Sequence, residues 1–229
     1  MYRERPAGGV AGAVLWTSTT PAGAAPTRVL PDGCVDLLWS SRSGLLVAGP
    51  DRTAHLSGGG PEERWVGLRL PPGTGPAVLG VPAVELRDRR VPLADLWGDS
   101  AVAGLAERAG SAPATVLREV AAGRLRASGG PDPLGVRVAT VLAVGATVTA
   151  AAAAVGLDPR ALHRRSRHLF GYGPKTLARI LRMQRALALA RAGTPLAEVA
   201  ASCGYADQAH LTRDVRDLAG VPPTALLPR

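Results

Sequence analysis

The chain has 229 residues, a formal net charge of +9 and only two cysteines, Cys34 and Cys203. That length holds one large domain or two small ones with buried cores, and two cysteines are too few for a disulfide framework or a thiolate metal cluster, which suits a reducing cytoplasm. The charge is uneven: residues 1–128 carry 14 Arg against 12 Asp and Glu, a net +2, while residues 129–229 carry 13 Lys and Arg against 6 Asp and Glu, a net +7. An excess of cations confined to one half is what attraction to a polyanion requires.

The first half reads as β-rich. Short apolar stretches at residues 11–17, 29–30, 34–40, 45–48 and 65–70 are separated by Pro/Gly turns such as Pro31-Asp32-Gly33. Alternation places Cys34, Asp36 and Leu38 on one strand face and Val35, Leu37 and Trp39 on the other. Residues 57–61, SGGGP, read as a flexible loop. From Gly80-Val81-Pro82 onward the pattern turns helical, at residues 83–86, 93–97, 101–109 and 114–122. Arg3, Arg5 and the short apolar run after them imitate a secretory leader, but Glu4 and the glycines argue against one. Asp32, Cys34, Asp36, Asp51 and His55 are the candidate reactive groups. His55 is the only histidine before residue 129, so neither a cysteine–base pair nor a repeated metal-ligand spacing is present. Turn, capping and core roles are expected for them instead. Trp16, Trp39, Trp65 and Trp97 are expected in the core or in the wall of a small effector pocket.

Residues 127–133, ASGGPDP, read as a linker, and Asp132 with Pro133 opens a helix to about Val144. The twenty residues from Val138 to Leu157 carry no charge, yet a buried helix pair capped at Thr147 explains them better than a membrane span. Thr147 opens a helix that Gly156 ends, and Asp158-Pro159 opens the next. Along it Arg160, Arg164 and Arg167 share one face, with His163 beside them. Pro174 starts a connecting helix of roughly 27 Å. In it Leu177, Ile180, Leu181, Leu187 and Ala188 face inward, and Arg179, Arg182, Arg185 and Arg191 outward. Gly193 ends it. Thr194 then caps a helix with Leu196, Val199, Ala200 and Cys203 on its apolar face, which Gly204 ends. Asp207 caps a last helix to about Leu218, with Leu211, Val215 and Leu218 inward and Gln208, Ala209, His210, Thr212, Arg213 and Arg216 outward.

Those last two helices repeat the two after Thr147. Ala152 and Gly156 have the spacing of Ala200 and Gly204, and Leu162, Arg164, Gly171 and Pro174 that of Leu211, Arg213, Gly220 and Pro223. One extra residue in the second turn moves the offset from 48 to 49. Each pair is a helix-turn-helix, whose second helix can lie in a DNA major groove. The segment GYADQAHLTRDVRDLAGVPP, behind a basic linker helix and a first helix-turn-helix, resembles the DNA-binding domain of AraC-family transcriptional regulators over about the last 100 residues. Where that family usually carries an aromatic residue in its first recognition helix this chain has Ser166, with Phe170 one turn later. LPDGCVDLLW, VAGPDRTAH, VGLRLPPG and VLGVPAVELRDRRVPLADLWG resemble a domain that precedes such units in many actinobacterial regulators.

The expected architecture is α+β: a β-rich regulatory domain over 1–128 with a helical end, then an all-α DNA-binding domain over 129–229 with two helix-turn-helix units on a linker helix. The expected function is sequence-specific transcriptional regulation in the cytoplasm, at the nucleoid, with no catalysis, cofactor, metal or membrane. Base reading falls to Arg160, His163, Arg164 and Arg167 in one unit and to Gln208, Ala209, His210, Thr212, Arg213 and Arg216 in the other. Lys175, Arg179 and Arg182 are assigned to phosphates. Double-stranded DNA is the partner implied, with a small effector and RNA polymerase as further candidates, for a monomer or a homodimer. Two alternatives stand beside this: an enzyme delivered to DNA, marked by a Cys34 thiol titrating well below normal, and a helix-turn-helix module that binds protein.

Overall fold

Alternating apolar and polar residues build the first half. The computed structural model describes residues 2–227. In chain order they form β1 (Tyr2–Pro6), β2 (Val14–Thr20), β3 (Thr27–Val29), β4 (Val35–Ser40), β5 (Gly44–Ala48), β6 (His55–Ser57), β7 (Glu63–Leu70), α1 (Gly75–Leu79), α2 (Ala83–Leu86), β8 (Arg90–Pro92), α3 (Ala94–Trp97), α4 (Asp99–Ser111) and α5 (Pro113–Ala127). Six of the strands make an antiparallel sheet in the order β1-β2-β7-β4-β5-β8, and β3 pairs with β6 in a separate ribbon. Leu15 lies opposite Leu68, Leu68 opposite Leu37, Leu37 opposite Val47 and Val47 opposite Val91. This belt of aliphatic side chains crosses five strands, none of its members more than 6% exposed. Each contributes roughly 1.5–3 kcal/mol over an exposed side chain. Val102 and Ala109 of α4 and Val116, Leu117 and Ala121 of α5 cover it.

On the opposite face Trp16 stands across from Gly67. A Cβ at Gly67 would lie inside the Trp16 indole, so glycine is what lets the ring lie flat on the strand. The alternation expected along β4 holds: Val35, Leu37 and Trp39 enter the core, and Asp36 points the other way to take a hydrogen bond from the Trp16 indole at 2.7 Å.

The second half is helical: α6 (Pro133–Ala143), α7 (Val148–Ala154), α8 (Pro159–Phe170), α9 (Pro174–Arg191), α10 (Leu196–Ser202) and α11 (Gln208–Ala219). It has its own core around α9, which buries Leu177, Ile180, Met183, Ala186, Leu187 and Ala190. Helices α7, α8, α10 and α11 all pack on this spine. Ala188, expected inside, is exposed, and Leu181 is only half-buried. The inward stripe runs through Met183, Ala186 and Ala190 instead, which turns Ala188 to solvent. Between α5 and α6 the chain makes a tight turn: Gly129 and Gly130 take φ of 80° and 96°, and Gly130 N–H donates to Leu125 O at 2.7 Å. Asp132 then caps α6 through Leu134 N–H at 2.8 Å.

The halves touch in several places. The β3–β6 ribbon reaches the end of α11, α2 packs on α8, and Gln184 of α9 donates to Pro31 O at 2.7 Å. A Cβ on Gly33 would come within 3.0 Å of Leu177.

Candidate nucleic-acid interface

The two helix pairs are built on the same local chemistry. Thr147 Oγ1 accepts from Ala150 N–H at 3.1 Å to start α7, and Gly156 ends that turn with φ 65°. Asp158 Oδ1 accepts from Arg160 and Ala161 N–H at 2.8 and 2.9 Å, and Pro159 fills the first helical position of α8. In the second pair Gly204 turns with φ 75° and Asp207 accepts from His210 N–H at 2.6 Å to start α11. Thr194 does not cap α10. The cap position falls on Pro195, which offers no side-chain acceptor. By the offset of 48, Pro195 stands where Thr147 stands in the first pair.

Helix α8 buries Leu162, Ser166, Leu169 and Phe170 and leaves Arg160, His163, Arg164 and Arg167 exposed. Helix α11 buries Leu211, Asp214, Val215, Leu218 and Ala219 and leaves Gln208, Ala209, Arg213 and Arg216 exposed. Arg160, Arg164, Arg167, Arg213 and Arg216 have no ion-pair partner among the described residues. Five unpaired guanidinium groups therefore stand on the outer faces of two equivalent helices.

Two of the expected readers are also engaged within the protein. His210 is half-buried, edge-on to Tyr205 with ring centroids 5.2 Å apart, and its Nδ1 accepts from Ala206 N–H at 3.2 Å. Thr212 Oγ1 donates to Gln208 O at 2.9 Å. His163 stays exposed but lies over Gly173, where a Cβ would approach the ring to 2.7 Å.

Arg179 and Arg182, expected at phosphates, are engaged within the protein. Arg179 Nε donates to Asp214 Oδ1 at 2.7 Å and Arg182 Nη2 to Asp214 Oδ2 at 2.9 Å. Arg179 also pairs with Asp217 at 3.3 Å, and the Arg182 guanidinium lies 4.2 Å from the centre of the Tyr205 ring. Burial pushes the Asp214 carboxyl up, but the hydrogen bonds from Arg179 and Arg182 outweigh it and hold the group below its ordinary range. Both arginines thus brace α11 on α9. Arg185 is committed too, to Ala143 O at 3.0 Å and Cys203 O at 3.1 Å. Lys175 alone of the three expected phosphate holders is exposed. Asp214 was missed in the sequence, although an acid at the inward spacing of Leu211, Val215 and Leu218, opposite an arginine-rich helix, is a readable signal.

The candidate reactive groups of the first half are tied up in pairs. Arg69 lies 3.2 Å from Asp32 and 3.7 Å from Asp36, and donates to Glu4 at 3.1 Å. Asp32 Oδ1 accepts from Cys34 N–H at 2.9 Å, as expected of a turn residue. Burial, then the charges of Asp32 and Asp36, push the Cys34 thiol up, the opposite of an activated cysteine. Burial likewise raises Asp36 to about 6. Burial also works against the charge on Asp51, but bidentate Arg90 and neighbouring His55 hold its carboxyl below normal. No group of metal-ligating side chains occurs among the described residues. Of the tryptophans Trp39 is buried and the others half-buried. Leu96, Trp97, Leu105, Val120 and Arg124 wall an open depression of about 540 Å³ on the helical side of the sheet. No described helix is long and apolar enough to cross a membrane.

Residues 151–229 match a family model described as a helix-turn-helix domain, and residues 13–92 match one described as a domain of unknown function (DUF6597). No curated protein matches the chain. Among solved structures it is similar to a probable AraC family transcriptional regulator from Rhodopseudomonas palustris, at 26% identity over 42% of this chain and 95% of that one, with a TM-score of 0.37. It is also similar to ToxT from Vibrio cholerae, at 11% identity over 93% of this chain and 96% of that one, with a TM-score of 0.48. ToxT solved with an unsaturated fatty acid bound aligns at 9% identity over 93% and 94%, with a TM-score of 0.47.

Proposed function

We propose that this chain is a DNA-binding transcriptional regulator of the AraC type, whose helix-turn-helix domain reads an asymmetric duplex site with α8 and α11 in adjacent major grooves. The observation that carries this reading is the set of five unpaired arginines on the outer faces of two helices with equivalent caps. Arg bound to the O6 and N7 of guanine is the commonest base contact in the major groove. Arg164 and Arg213, at equivalent positions, carry most of the discrimination. Arg160, His163 and Arg167 complete one reading surface, and Gln208, Ala209, His210, Thr212 and Arg216 the other. His210 contributes through Nε2, its Nδ1 being occupied.

Lys175 holds phosphate, whereas Arg179 and Arg182 act from behind by fixing α11. Residues 1–128 form the regulatory part, and the helical depression beside Trp97 offers a small apolar effector a place to bind. No catalytic step is assigned: Asp32 and Asp36 lie against Arg69, Asp51 pairs with Arg90, and burial pushes the Cys34 thiol up. The protein works in the cytoplasm, where its DNA is.

The test is selection of bound duplexes from a random library, followed by footprinting of Arg164→Ala and Arg213→Ala. Base-specific losses at two positions about one helical turn apart fit the proposal. Loss confined to the second half-site means that α8 reads nothing.

A further inference from the structure

The last carbonyls of an α-helix have no partner within it. Helices α8 and α11 end alike, on glycines in the left-handed region: Gly171 with φ 83° and Gly220 with φ 74°, separated by the repeat offset of 49. At both ends the first half of the chain supplies the donors. Arg87 Nη1 donates to Gly171 O at 3.1 Å. Arg28 Nη1 donates to Ala219 O at 2.9 Å, and Ala54 N–H to Leu218 O at 2.7 Å. The backbones approach closely as well. A Cβ on Gly171 would come within 2.7 Å of Pro50 Cγ and 3.1 Å of Ala83 O, and one on Gly220 within 3.1 Å of Arg28 Nη1.

Two of these contacts, one at each helix end, belong to one short segment. Pro50 touches the end of α8 and Ala54 the end of α11, so residues 50–54 run from one recognition helix to the other. Four residue steps span at most about 14 Å. The segment is pinned along its length. Asp51 pairs with Arg90 at 2.6 Å and His55 at 3.2 Å. Arg52 donates to Asp88 from N–H at 2.8 Å and from Nε at 2.6 Å. Asp88, with φ 59°, is the only described non-glycine residue at positive φ. Its unusual backbone sets the corner from which Arg87 reaches Gly171. Arg160, His163, Arg164 and Arg167 of α8 and Gln208, Ala209, Arg213 and Arg216 of α11 stay exposed, so the segment holds the helices without covering these side chains.

We infer that residues 50–54, with Arg28 and Arg87, are a strap that fixes the separation and tilt of the two recognition helices and so sets the half-site spacing the protein prefers. Arg28 and Arg87 are positioning residues: they act on DNA through α11 and α8. The inference rests on the bipartite reading proposed above. Two linked modules bind a matched pair of sites most tightly when the link is stiff, and loosening the link lowers that peak while broadening the tolerated span.

The experiment uses the full chain, the selected duplex, and versions with one to three base pairs added or removed between the half-sites. Arg28→Ala, Arg87→Ala and the double variant are compared with Arg28→Lys and Arg87→Lys, which keep a donor. Circular dichroism checks helix content, and binding to a duplex with one half-site scrambled checks each unit alone. At the matched spacing the double variant should bind about tenfold more weakly than the wild type. At altered spacings the gap should close or reverse, with single half-site binding unchanged, and the lysine variants should recover part of the wild-type profile. A folded double variant with the wild-type spacing profile overturns the strap alone. A wild type indifferent to scrambling either half-site overturns the bipartite reading and the strap with it.

Discussion

The two helix-turn-helix units share the turn glycine and the aspartate cap of the recognition helix and differ in how that helix is held from behind. At one position on the inner side, the first unit has Arg165 and the second Asp214, 49 residues on. Arg165 reaches an acid near the surface, the Asp132 that caps α6, and its own side chain is 47% exposed. Asp214 is only 5% exposed and takes hydrogen bonds from two arginines of the spine. One residue later the contrast inverts. Val215 is buried and apolar, whereas its counterpart Ser166 is buried with a hydroxyl that finds no hydrogen-bond partner among the described residues. The second unit is therefore anchored by a buried carboxylate held between two partly exposed arginines, and the first by packing, with Phe170 filling its base. Identical outer geometry does not require identical support.

The largest effect should follow from removing the anchor. Asp214→Ala removes the shared acceptor of Arg179 and Arg182, and the loss of hydrogen bonds to a charged group should cost about 1.5–3 kcal/mol. Arg165→Ala breaks an exposed pair and should cost less than about 1 kcal/mol. Urea unfolding of both variants measures the difference, and equal losses would erase the distinction between the units.

The outer faces are expected to behave alike. Arg164→Ala and Arg213→Ala should each lose about 1–3 kcal/mol of discrimination at a single base pair, with little change on random duplex. Arg182→Ala should behave differently, weakening the second half-site through a loosened α11 while leaving the first intact. Competition binding against singly substituted duplexes separates these patterns. A uniform loss over all sequences for Arg182→Ala would return that residue to the phosphate holders.

Acid should act on the second unit first. The Asp214 carboxyl is held below its unfolded value of about 3.9, so its stabilisation is complete above that pH and disappears as pH falls through the lower folded value. Wild-type stability should decline below about pH 4 more steeply than that of Asp214→Asn, which cannot titrate there. Parallel curves for the two would mean that the pair does not set the acid limit.

Much of this was readable from local rules. Asp132, Thr147, Asp158 and Asp207 cap where their spacing placed them, and Gly156, Gly171, Gly204 and Gly220 turn the chain at positive φ. Caps and turns depend on a few neighbouring residues, which is why they survive reading in one dimension. What the sequence hid is non-local. The strands β3, β6 and β8 are three residues long, and each exists because of a partner strand distant in the chain. Arg28, Arg52 and Arg87 look like ordinary surface charges until the fold brings them to Ala219, Asp88 and Gly171. The partner of Arg179 and Arg182 was hidden for the same reason: an outward position on a helix does not say which acid another helix brings to it.

The smallest expected effect is at Ser166, and it tests the comparison at its least symmetrical point. A buried hydroxyl without a partner costs desolvation and returns nothing, and serine is also a poorer helix former than alanine. Ser166→Ala should therefore raise stability by about 1 kcal/mol, with DNA affinity unchanged because the side chain faces the core. Ser166→Val copies the residue of the second unit and puts two methyl groups in place of the hydroxyl beside Leu162 and Phe170. If the space behind α8 matches that behind α11, this variant gains further; if Phe170 already fills it, overpacking costs about 1–3 kcal/mol. Thermal unfolding of the two variants thus measures whether the units differ in one side chain or in the shape of the whole support. A loss of stability in Ser166→Ala would show that the hydroxyl is bonded and that the asymmetry lies elsewhere.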